Sequence, residues 1–158
     1  MTYIGIDNGV SGSIGILTDG KTPMWSPMPT RSELNYTKKK SNITRIDFVE
    51  LRDMLSHFDP TTTLIAIERP MVNPGRFAAT ISAVRALEAT LIALEQVGLP
   101  YRYIDSREWQ KTQLPSGLKG DELKKASLDV GRRLWPYLKF KDDADAMLIA
   151  RHIKSQNH

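Results

Sequence analysis

Two short runs open the chain, Tyr3-Ile4-Gly5-Ile6-Asp7 and Ser13-Ile14-Gly15-Ile16-Leu17-Thr18, each apolar and β-branched, with glycine-rich residues 9–12 between them. That pattern predicts a β-hairpin. Asp19-Gly20 is a second turn signal, and Met24-Trp25 begins a third strand. Asp47 with Glu50 three residues on reads as a capping box, and Phe48, Leu51, Leu55 and Phe58 line one face of the helix it opens, as far as Pro60. Leu64-Ile65-Ala66-Ile67-Glu68 has the composition of a buried strand, and Pro70 and Pro74-Gly75 make a loop after it. The clearest helix runs from Arg76 to Val97, with Phe77, Ile81, Val84, Leu87, Leu91 and Leu94 at helical spacing; Gly98 caps it and Pro100 forbids continuation. A strand over 101–104, a short helix or turn from Ser106, a helix over 121–134 and a last helix over 142–154 complete the series. The order β-β-β-α-β-α-β-α-α predicts an α/β domain with a mixed sheet flanked by helices.

Composition narrows the class. The 158 residues, 41% hydrophobic and 25% charged, suit one globular domain, 1–158, with a real core. No apolar run approaches the ~18–20 residues of a membrane span, and the first residues lack the basic flank of a signal peptide. With no cysteine, disulfides and thiolate metal sites are excluded. A cytoplasmic protein, of a bacterium or a phage-infected host cell, is expected. The net charge is +4. Its excess gathers in Lys38-Lys39-Lys40 with Arg45, and in a second group through Lys111, Lys119, Lys124, Lys125, Arg132, Arg133, Lys139 and Lys141. Such surfaces attract a phosphate backbone; solvated lysines kept for solubility are the plainer reading of each.

The candidate chemistry lies in four carboxylates. Asp7 and Glu68 close predicted core strands, where a rigid sheet presents polar groups at its open edge. Asp142 and Asp145, three apart at the start of the last helix, are expected on one inward face, with Asp143 as a solvated or capping neighbour. Asp142 has an alternative as an N-cap, and Asp7 as turn chemistry. Glu68 is hardest to explain as structure alone, because a carboxylate ending an apolar strand rarely stays buried unpaired. Carboxylates brought together repel unless a cation lies between them, and oxygen-only donors suit Mg²⁺ or Mn²⁺ rather than zinc. Two ions about 3.5–4 Å apart activate a water and stabilise the leaving oxygen of a phosphodiester. His57, His152 and His158 form no metal constellation, and Trp25, Trp109 and Trp135 read as core or interface packing.

Ile4-Gly5-Ile6-Asp7-Asn8-Gly9, Ile65-Ala66-Ile67-Glu68 and the run from Asp142 to Ala150 together resemble the RuvC-type Holliday junction resolvases, within the RNase H-like nucleases. The resemblance implies an RNase H-like fold with a five-stranded mixed sheet and a catalytic and metal-binding set of Asp7, Glu68, Asp142 and Asp145. It further implies two Mg²⁺ per site, with Mn²⁺ able to substitute, and a homodimer through helix 76–97 that nicks branched DNA symmetrically. DNA contacts are then expected from Arg107, Lys111, Lys119 and Lys124; apart from the resemblance, Arg76 and the charge cluster of Lys38, Lys39 and Lys40 are also expected to meet DNA. Two features depart from the family: Met71 and Val72 stand where an aromatic usually follows the glutamate, and the 38–40 lysines have no counterpart. An RNase H-like enzyme acting on RNA–DNA hybrid or structured RNA shares the carboxylates. An actin-like phosphotransferase would need two lobes, and a non-catalytic DNA-binding module has no use for four acids.

Overall fold

The computed structural model describes residues 1–38 and 40–157. Its centre is a five-stranded sheet in the order β3-β2-β1-β6-β7, built from β1 (Thr2–Asp7), β2 (Ser13–Thr18), β3 (Met24–Pro27), β6 (Thr63–Glu68) and β7 (Tyr101–Ile104). The first three strands run antiparallel and β1, β6 and β7 run parallel, so the sheet is mixed as expected. Alternation along β1 divides the core. Ile4 and Ile6 face one layer with α1 (Phe48–Leu55) and α2 (Phe77–Gln96); Tyr3 faces another with α3 (Ser106–Gln113), α4 (Asp121–Leu134) and α5 (Asp145–Ser155). Asp47 caps α1 by accepting the Glu50 N–H at 3.2 Å.

Helix α5 lies hard against the sheet because two strand residues have no side chain. A Cβ at Gly5 would meet the Ala146 carbonyl oxygen at 2.1 Å, and one at Gly15 the Met147 nitrogen at 2.5 Å. Ala146 to Ala150, His152 and Ile153 are all buried there.

Three expectations change. Residues 30–46 carry an unforeseen two-stranded ribbon, β4 (Thr30–Leu34) paired with β5 (Asn42–Ile46). Its largely exposed strands lack the apolar alternation that signals a half-buried strand; Glu33 instead pairs with Arg31 on its own strand and with Arg45 across the ribbon, each at 2.6 Å. The last helix begins at Asp145, not Asp142. The Ala144 N–H is taken by the Ser127 hydroxyl at 3.1 Å and the Asp145 N–H by the Asp143 carboxylate at 3.2 Å, so side chains hold this turn ahead of the helix. Finally, the helical stretch Pro74–Gln96 is long and apolar enough, by length and composition, to cross a membrane, which the sequence reading did not anticipate. Here it flanks the sheet, with Phe77, Ile81, Val84 and Ile92 exposed.

Candidate active site

β1 and β6 run parallel with Ile6 beside Ile67, so Asp7 and Glu68 come next to one another at the same sheet edge. Both follow residues of the α1–α2 layer and therefore project to the opposite face, towards α5. Asp145 is the first residue of α5, whose head reaches that edge. Three carboxylates distant in sequence thus share one end of the sheet, each only partly accessible.

Their electrostatics carry the mark of crowding. Burial holds the Asp7 carboxyl well above the usual carboxylate range; repulsion from Glu68, Asp145 and Asp143 adds to this, and Lys124 opposes it. Burial raises Glu68, the Trp109 indole offsets part of the rise, and Asp143 contributes to it. Asp145 is pushed up to about 7 by burial first and Asp143 second, against the Ser127 hydrogen bond. Asp143 is itself raised by burial, against the Asp145 N–H it accepts.

The fourth member of this cluster is therefore Asp143. Asp142, expected to face inward with Asp145, precedes the helix and is exposed, and it adds to the rise at Asp143. The i, i+3 argument failed because it needed a helix under both residues. Two further residues escaped the sequence reading. The Trp109 indole N–H, from α3, donates to Glu68 Oε1 at 2.8 Å, and the Ser127 hydroxyl, from α4, donates to Asp145 Oδ1. Both side chains are fully buried. The helix expected over 121–134 contains Ser127, but local pattern discloses nothing of its partner eighteen residues on.

The donor chemistry fits a hard divalent cation: oxygen atoms only, mutual repulsion, and one nearby lysine. Glu68 and Asp145 each have one oxygen engaged by a neutral donor and the other without a partner among the described residues. As the side chains lie, no three His or acidic groups among the described residues close on one point to hold an ion, so binding requires rotations of the carboxylates.

The basic candidates are dispersed. Lys124, exposed on α4, acts on Asp7, Asp143 and Asp145. Arg107 and Lys111 line a hollow between α3 and α4 with Leu114 and Leu123, and Lys119 is exposed just before α4. Arg76 is exposed in the turn before α2, while Lys38 and Lys40 are exposed in the β4–β5 connection; Lys39 lies outside the described residues. His152 is buried, its ring nitrogens 2.8 Å from the Thr112 hydroxyl and 3.0 Å from the Gln156 amide.

No family model matches the sequence, and no curated protein does. The three-dimensional arrangement does find relatives. The RuvC structure of Thermus thermophilus is similar over 99% of this chain and 97% of that one, with a TM-score of 0.62 and 16% identity. A structure of T. thermophilus RuvC in complex with a Holliday junction substrate is similar over 96% of this chain and 91% of that one, with a TM-score of 0.61 and 15% identity. The fold is that of RuvC. In this chain that fold sets β1 beside β6 and brings up the head of α5, which puts Asp7, Glu68 and Asp145 at one edge.

Proposed function

We propose that the chain is a divalent-metal-dependent endonuclease that cuts branched DNA, with the four-way junction as its principal substrate. The observation that carries this reading is the convergence of Asp7, Glu68 and Asp145, with Asp143 beside them, on one edge of a RuvC fold. Asp7, Glu68 and Asp145 would hold Mg²⁺ or Mn²⁺, two ions to a site, with Asp143 as the fourth ligand. The bound ions would supply an acidified water and charge neutralisation at the scissile phosphate. The chain's own residues orient the strand. Lys124 offsets the acidic field so that the phosphate can approach, and Arg107, Lys111 and Lys119 extend that attraction along α3 and α4. Arg76 and the lysines of the β4–β5 connection would meet the arms of the branched substrate.

Two coordinated nicks require two sites at a fixed separation, and α2 offers the means. Phe77, Ile81, Val84 and Ile92 recur at spacings of 4, 3 and 8 and form an exposed apolar stripe. Pairing two copies along it yields the homodimer. The T. thermophilus protein was seen with a Holliday junction substrate, and the same substrate class is assigned here.

The test is a cleavage panel of four-way, three-way, flap and linear DNA and RNA–DNA hybrid, each with and without Mg²⁺. The four-way junction should be cut fastest, only with metal, and by paired nicks. Preferential cutting of hybrid by a monomer would instead support the RNase H-like alternative. Within the site, Asp143→Asn should slow cutting at least tenfold more than Asp142→Asn; the reverse order would restore Asp142 to the ligand set.

A further inference from the structure

We propose that Trp109 is a positioning residue for Glu68: its indole N–H fixes one carboxylate oxygen so that the other is aimed at the cation. This inference rests on the metal-dependent reading of the site. The bond is 2.8 Å long, between a fully buried ring and the last residue of β6. A neutral donor has a particular merit here. A lysine or arginine would hold Glu68 equally well but would neutralise it, and so weaken the attraction for a metal. The indole orients the carboxylate and leaves its charge in place.

The ring is itself anchored. The Thr112 hydroxyl donates to the Trp109 carbonyl at 2.9 Å and lies 2.8 Å from His152 Nδ1. His152 Nε2 in turn faces the Gln156 amide at 3.0 Å. With Glu108 Oε1 also 3.7 Å from Nε2, these contacts hold the imidazole between α3 and the end of α5. Next to His152 in sequence, Arg151 donates to the Gln113 side chain at 2.5 Å. Helix α3 is thus bolted to α5, the helix that carries Asp145. Glu68 and Asp145 take their places from one rigid unit although they arise from different elements. A buried indole N–H needs an acceptor in any protein, so the structural alternative is that Glu68 merely satisfies Trp109.

The two are separated by metal binding measured without DNA. The indole proton of Trp109 is followed by ¹H–¹⁵N NMR, assigned by its disappearance in Trp109→Phe, while Mg²⁺ is added and calorimetry measures occupancy in parallel. The Trp109 resonance should shift and saturate with occupancy, and Glu68→Gln should abolish the shift. Trp109→Phe should raise the Mg²⁺ midpoint about tenfold, the lower end of what outer-shell partners usually contribute. Should that variant fail to fold, benzothienylalanine at position 109, with the ring shape kept and the N–H absent, should give the same tenfold change. A wild-type protein that binds Mg²⁺ with a stationary Trp109 resonance, or an N–H-deficient variant with an unchanged midpoint, overturns the proposal while leaving the nuclease reading intact. A wild-type protein that binds no Mg²⁺ by calorimetry overturns both.

Discussion

Helices α5 and α2 flank opposite faces of the same sheet and treat it differently. α5 has seven of its eleven residues buried and touches the strands through Gly5 and Gly15, backbone against backbone. α2 buries four of twenty and leaves Phe77, Ile81, Val84 and Ile92 in solvent. A monomer gains nothing from that exposure; full burial of such a side chain is worth about 1.5–3 kcal/mol, and these four, 37–72% exposed, forgo part of it. The contrast separates two tasks: α5 fixes a chemical group, whereas α2 keeps apolar surface in reserve.

The comparison breaks most sharply at the head of α5. Asp145→Asn should lower the rate of junction cutting by at least about a thousandfold, roughly 4 kcal/mol of barrier, while junction binding in Ca²⁺ persists; single-turnover kinetics and gel shift measure both. Next comes the seat of the helix. Gly5→Ala places a methyl 2.1 Å from a carbonyl oxygen, an overpacking that should cost about 1–3 kcal/mol or more by denaturant unfolding.

The third effect is one of pH. Asp145 retains its proton in the folded chain up to about 7, whereas its ordinary value is 3.8. Between these values the folded state binds more protons than the unfolded, so stability without metal should fall as pH rises from about 4 to 7 and then level off, by on the order of 1–3 kcal/mol for this group. Asp145→Asn should flatten that slope, and Mg²⁺ should raise Tm more at pH 8 than at pH 5; thermal unfolding across pH reads both. The smallest effect on stability belongs to α2. Ile81→Glu with Val84→Glu should change folding stability by less than about 0.5 kcal/mol, yet convert the proposed dimer into a monomer by light scattering and uncouple its two proposed nicks.

Where the sequence was readable, it was readable for physical reasons. β1, β2 and β6 are short β-branched runs ended by turn chemistry, and α2 carries a long helical period, so local pattern was enough. Asp7 and Glu68 were visible because a carboxylate closing an apolar strand is conspicuous. Asp143 was not, since its inward placement depends on Ser127, eighteen residues before Asp145, accepting the Ala144 N–H and stopping the helix from starting at Asp142. Trp109 was read correctly as core, but its N–H reaches Glu68 across 41 residues of sequence, a contact no local window contains. The β4–β5 ribbon stayed hidden because it gives the core little besides Ile46, too few inward positions to set a period.

The two hydrogen-only positions under α5 have one more consequence. A helix seated through side chains inherits their rotamer play, whereas one seated on bare main chain can neither slide nor roll without a peptide colliding with a peptide. The carboxylate at its tip is hung from that mounting. It arrives beside Asp7 with the tolerance of the polypeptide backbone, and what freedom remains is the turning of its own terminal bonds.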